Sequence, residues 1–226
     1  MRSRLSPRIV AFGDSTTAPR EGVRTYTQLV EAGLRDDGVS AEVINAGVPG
    51  DTTEDARARF DADVVTLAPD CVVIQFGIND AALDVWRDPP AGTPRVGLDR
   101  YTENLDHFAR RLTAVGSRCV LMTPNRLTWT PETLDLYGRA PYDPADPDGF
   151  SRPLEPYAQR TRDLAARHGL PLIDVAAAYA RETTAGGDIG RYLLDGIHPN
   201  DAGHRLVASR LLDALRTTTG VGVGGG

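Results

Sequence analysis

Short runs of β-branched and other apolar residues alternate along the chain with longer stretches in which apolar positions recur every three or four residues, the pattern of βαβ units around a parallel sheet. Five runs read as strands: 8–12 (RIVAF), 41–46 (AEVINA), 71–76 (CVVIQF), 118–123 (RCVLMT) and 170–174 (LPLID). Each is almost continuously apolar, as a strand covered by helices on both faces must be. Helical periodicity fills 25–37, 53–67, 101–115, 154–168 and 200–216, and a short helix follows the fifth strand. Among Asp51, Thr52 and Thr53 lies a cap for the second helix, Asn200 or Asp201 caps the last, and Gly116 and Gly169 stand where helices stop in a left-handed turn.

The stretch from Pro124 to Pro153 breaks the rhythm with many prolines, Trp129, and the pair Tyr137 and Tyr142. A connection this long is expected to be either a partly ordered lid or pocket wall, or a surface insertion packed on itself. Residues 1–216 read as one domain of α/β class, and 217–226 (TTTGVGVGGG) as a flexible tail without core-forming capacity.

Composition narrows the function. Net charge is −6, and the basic residues total 25 with no lysine among them, so all are arginine. An acidic chain lacks the electropositive face that nucleic acid needs, and nucleic acid is not an expected partner. Without lysine there is no Walker-type phosphate loop and no Schiff-base chemistry. Cys71 and Cys119 sit inside apolar runs and read as core thiols, and neither CxxC nor HExxH is present, so no metal or other cofactor is expected. No apolar run is long enough to span a membrane, and the amino-terminal stretch lacks the apolar region of a signal peptide; the sequence reading is a cytoplasmic protein that does not engage a membrane.

In a parallel α/β sheet, ligands bind beyond the carboxyl ends of the strands. Four loops there carry polar signatures: GDST at 13–16, NAGVPGDTT at 45–53, GIND at 77–80 and DGIHPN at 195–200. Acyl transfer needs a nucleophile, a base, a group that orients the base, and donors for the oxyanion. Ser15 supplies the hydroxyl, His198 the imidazole, and Asp195, three residues earlier, a carboxylate to fix the imidazole tautomer. The Ser15 amide, the Gly47 amide and the Asn79 side chain complete an oxyanion hole. Asp14 organises the nucleophile turn and is a candidate substrate contact, as are Trp86, Trp129, Tyr137 and Tyr142, whose rings either stack on a sugar or pack locally. Asp80 reads as a turn former, and His107, His168 and His204 as solvated, helix-terminal and packing histidines respectively.

The ordered set of GDS, a glycine after the second strand, GxND and DxxHP resembles the GDSL esterases and lipases, or SGNH hydrolases, from Gly13 to Pro199. The resemblance implies a flavodoxin-like three-layer sandwich with strand order 2-1-3-4-5, Ser15 as nucleophile, Gly47 and Asn79 as oxyanion donors, His198 as base and Asp195 as its orienter. Thr16 stands where the family name has leucine, and GDSTTA is similar to the carbohydrate O-acetylesterase branch. The expected activity is therefore hydrolysis of small-acyl esters, such as O-acetyl groups on a carbohydrate or similar polar scaffold. Alternatives of two kinds, enzymatic and non-enzymatic, remain at this point. One is a lysophospholipase or acyl-thioesterase of the same family. The other is a flavodoxin-like binding module that holds FMN phosphate through Ser15, Thr16 and Thr17, or a degenerate hydrolase that only binds carbohydrate.

Overall fold

Gly13, the last residue of strand β1 (Arg8–Gly13), is level with Gly47 at the end of β2 (Glu42–Gly47) and with Gln75 at the end of β3 (Cys71–Gln75). Three candidate loops therefore leave the sheet side by side. A computed structural model describes residues 6–184 and 188–219 and completes the sheet with β4 (Arg118–Met122) and the two-residue β5 (Leu172–Ile173). All pairings are parallel, in the order β2-β1-β3-β4-β5. This is the expected order, and the third, fourth and fifth strands are shorter than the apolar runs that announced them.

Strand residues alternate between two apolar layers, which explains why the runs show no polar face. Val10, Phe12, Val72, Ile74 and Leu121 pack under α2 (Thr53–Asp63), α4 (Leu98–Ala114) and α6 (Glu155–His168). Ile9, Ala11, Val73, Val120 and Met122 pack under α1 (Tyr26–Asp36), α7 (Val175–Thr184) and α8 (Asp201–Thr219). The two free thiols fall on opposite layers, Cys119 in the first and Cys71 in the second, and burial pushes both pKa values up, that of Cys119 to about 12. The short helices α3 (Ile78–Ala81) and α5 (Pro131–Tyr137) complete the element list.

Four phenylalanines pack together in the first layer. Phe108 lies 4.6 Å from Phe60 and 5.6 Å from Phe12, ring centre to ring centre, and Phe12 is 5.2 Å from Phe76. Truncating Phe108, which is wholly buried, to alanine should lower unfolding free energy by about 3 to 5 kcal/mol, read as a lower urea midpoint at unchanged slope.

Local chemistry selects among the expected helix ends. Thr52, rather than Asp51 or Thr53, caps α2: its hydroxyl accepts from the Asp55 amide while the Asp55 carboxylate accepts from Thr52 N. Asn200 caps α8, its Oδ1 accepting from Ala202 N and Gly203 N. Gly116 and Gly169 take φ of 77° and 62°, as expected of helix stops. α8 continues through Thr219, so residues 217–219 are helical backbone rather than tail; 220–226 lie outside the described residues. Among the described residues no helix is long and apolar enough to cross a membrane.

Candidate active site

Ser15 sits on the turn that follows β1. Asp14 builds that turn: its carbonyl accepts from Thr17 N (3.1 Å) and Ala18 N (2.9 Å), and its carboxylate accepts from the amide and hydroxyl of Thr16, both at 2.8 Å. Asp14 is fully enclosed, and burial raises its carboxyl to about pH 6 against the opposing Thr16 bonds, so it organises the loop and is no substrate contact. Thr16 and Thr17 are equally buried, their hydroxyls bonded to Asp14 and Tyr26. That removes the hydroxyls a phosphate-binding loop would need.

His198 Nε2 lies 2.9 Å from Ser15 Oγ, and His198 Nδ1 lies 2.7 Å from Asp195 Oδ2. The three side chains form one unbroken line although Ser15 and His198 stand at opposite ends of the sequence. Residues 195–198 hold themselves in shape, because Asp195 Oδ1 accepts from Ile197 N (3.1 Å) and His198 N (2.8 Å), and a bridge from Leu193 to Pro199 closes the base of the loop. Partial burial pushes the Asp195 carboxyl up, but the backbone and ring N–H groups of His198 outweigh it and hold it below the usual carboxylate range. Asp195 is thus ionised at neutral pH and faces the ring nitrogen remote from serine. His198 is one-fifth exposed and Asp195 43% exposed, so the line opens to solvent.

The Gly47 amide, expected at the oxyanion, is already engaged. Its N–H donates to Asn45 Oδ1 (3.0 Å), and a Cβ there would stand 2.3 Å from Ala18 N. It is glycine because the nucleophile turn packs on it. The exposed glycine of the same loop is Gly50, with φ of 85°, in a turn closed by Asp51 N donating to Val48 O (3.3 Å). Proline at 49 and a positive-φ glycine at 50 are the signature of a type II turn, and that Pro-Gly pair was the sequence signal for it. Among the described residues, the amides of Ser15 and Gly50 donate to no protein acceptor.

Asn79 meets this loop directly, its Nδ2 donating to Asp51 O at 3.0 Å. Asp80 beside it is a buried anchor rather than a surface turn former. Its Oδ1 accepts from Thr53 N (2.9 Å) and from the Thr53 hydroxyl, tying α3 to the start of α2, and burial raises the carboxyl to about 7. Arg59 fastens the other side: it donates to Gly13 O (3.1 Å), Ala46 O (2.9 Å) and the Asp51 carboxylate (2.6 Å), with its guanidinium 4.5 Å above the Phe12 ring. Nothing in the sequence marked Arg59 out from the other arginines.

The candidate aromatic contacts separate into two groups. Trp129 stacks on Phe150 at 4.8 Å and donates from Nε1 to Asp146 O, and Tyr137 and Tyr142 pack edge to face at 5.5 Å. These rings pack on one another within the 124–153 insertion, the arrangement of the local-packing alternative. Trp86 is the exception, 46% exposed with Arg87 against its ring. The insertion also grips both sides of the site: Thr128 N donates to Gly196 O (2.9 Å), Asn125 Nδ2 to Ile197 O (3.0 Å), and Leu83 N to the Tyr142 hydroxyl (3.0 Å). Of the remaining histidines, His168 pairs with Asp106 at 2.6 Å and His204 is buried, accepting from Tyr26 N through Nδ1; burial lowers its pKa to about 4. His107 is half-buried against Phe60 rather than freely solvated.

A hydroxyl, an imidazole and a carboxylate in series at the carboxyl edge of a 2-1-3-4-5 parallel sheet make an arrangement suited to acyl transfer. Residues 11–206 match the GDSL-like lipase/acylhydrolase family, and the chain belongs to that family. It has the SGNH hydrolase fold and is a carboxylic ester hydrolase. The uncharacterized lipoprotein YqeF of Bacillus subtilis is 35% identical over 173 residues, 74% of this chain and 69% of that protein. An acetylxylan esterase of Geobacillus stearothermophilus is 29% identical over 178 residues, 75% of this chain and 70% of that protein. The crystal structure of a lipase/acylhydrolase from Enterococcus faecalis superimposes with a TM-score of 0.73 at 28% identity, covering 94% of this chain and 96% of that one.

Proposed function

We propose that the protein is a serine esterase that removes small acyl groups, O-acetyl above all, from a carbohydrate or similar polar scaffold. The observation that carries the reading is the line Asp195–His198–Ser15, with contacts of 2.7 and 2.9 Å. Ser15 Oγ attacks the ester carbonyl while His198 Nε2 takes its proton, and Asp195 stabilises the imidazolium. The tetrahedral oxyanion is met by the Ser15 and Gly50 amides and by the Asn79 Nδ2 hydrogen not used on Asp51. His198 returns the proton to the departing alcohol. Water, deprotonated by the same imidazole, then releases the acid and restores the Ser15 hydroxyl. Each oxyanion donor is worth about 3 kcal/mol of barrier.

Support for a small acyl group on a large polar alcohol comes from the openness of the site. The loop residues Val48, Gly50 and Leu194 beside it are exposed rather than packed into a tunnel wall, and aromatic residues form only 6% of the chain. The named activity of the Geobacillus relative points the same way. A chain-length series tests it: p-nitrophenyl acetate should be turned over fastest, with kcat/KM falling at least about tenfold beyond four carbons as the acyl group outgrows its contacts. Acetate should also be released from acetylated xylo-oligosaccharides. A maximum at octanoate would select the lysophospholipase or thioesterase reading instead.

A further inference from the structure

An asparagine serving an oxyanion must keep its amino group, and not its carbonyl, toward the substrate. Rotation about the last side-chain bond exchanges the two at little steric cost, so the choice is made by hydrogen-bond partners. At Asn79 these partners are of opposite kinds. On one side Nδ2 donates to the Asp51 carbonyl oxygen at 3.0 Å, and on the other Oδ1 faces Arg95, whose NH1 stands 3.4 Å away. Turning the amide over would press its oxygen against a carbonyl and its amino group against a cation. Only one orientation is compatible with both neighbours.

Arg95 is built into place rather than loosely draped. Its Nε and NH2 both donate to Asp84 Oδ1, at 3.0 and 2.7 Å, and Asp84 is 4% exposed. Its own backbone N–H donates to Ala82 O (3.1 Å) and that of Val96 to Asp80 O (3.1 Å), so the segment returning from the 84–97 loop is docked on the residues that follow Asn79. The side chain remains 30% exposed. An ordinary surface arginine would have no such double anchorage of backbone and guanidinium.

Resting on the oxyanion reading of Asn79 above, we propose that Arg95, gripped by Asp84, is a positioning residue that fixes the Asn79 amide with its amino group toward the oxyanion and polarises it. A positive charge at Oδ1 draws electron density from the amide and strengthens Nδ2–H as a donor to developing negative charge. The gain appears in the transition state, so it belongs in kcat rather than KM.

The test is a double-mutant cycle on p-nitrophenyl acetate with Arg95→Ala, Asn79→Ala and the pair together. Arg95→Ala should lower kcat about 10- to 30-fold with KM within about twofold, and should change kcat less than about twofold once Asn79 is alanine. An undiminished kcat in Arg95→Ala, or the same fold-loss in both backgrounds, overturns the proposal. If Asn79→Ala itself leaves kcat unchanged, the oxyanion reading fails and the proposal with it. Should Arg95→Ala not melt cooperatively, Arg95→Lys runs in the same cycle. It keeps a cation for Asp84 but has no second planar arm for Asn79, so a loss of about 3- to 10-fold is expected, again absent in the Asn79→Ala background. An equal loss in both backgrounds overturns the proposal here too.

Discussion

Replacing Ser15 by alanine is expected to cut kcat on p-nitrophenyl acetate at least about a thousandfold while leaving the thermal midpoint close to that of the parent. The Ser15 side chain contributes one hydrogen bond, to His198, and the turn that carries it is held by Asp14, so the fold has little reason to respond. What remains after the substitution is catalysis by the oxyanion donors alone. The variant should also fail to take up a covalent label from a fluorophosphonate, which the parent accepts at one equivalent. Equal slow hydrolysis by both proteins would remove Ser15 as nucleophile.

The second large effect is expected from Asp195→Asn, a change of one atom in size and of a full charge in chemistry. An amide can still accept from Ile197 N and His198 N where Asp195 Oδ1 does, so the loop keeps its shape. At the Oδ2 position, however, an amino group would meet His198 Nδ1 and force that nitrogen to accept. The ring hydrogen then moves to Nε2, which can no longer take the proton of Ser15. A loss of about 10⁴ in kcat follows, with KM little altered. Asp195→Ala should behave differently, adding loss of loop order to loss of the tautomer, and comparison of the two melting curves separates the parts.

The strands were legible because burial on both faces removes the ambiguity of alternation, and the serine, histidine and carboxylate were legible because each stands in a short motif at a strand end. Helix ends were less so. Asp51, Thr52 and Thr53 are all capping residues by type, and only the reciprocal pairing of Thr52 with Asp55 singles one out. Gly47 was expected at the oxyanion and Gly50 is the glycine proposed for it, and the two are hard to tell apart in the sequence for a similar reason. A strand end that packs against Ala18 and a turn that needs positive φ both demand glycine, and the demand reads the same in the sequence. Arg59, Asp84 and Arg95 were invisible, since their importance lies in partners 8 to 46 residues away rather than in any local pattern.

The aromatic insertion has a consequence for how substrate arrives. Leaving its place would mean breaking its bonds to Gly196, Ile197 and Leu83 together and separating the packed Trp129, Tyr137, Tyr142 and Phe150 rings. That is the free-energy scale of partial unfolding, not of a hinge. The segment is therefore expected to stand as a fixed parapet through each turnover, and on the proposed function substrate meets it as an open ledge, where even an acyl group borne on a long polymer can be reached without waiting for a door.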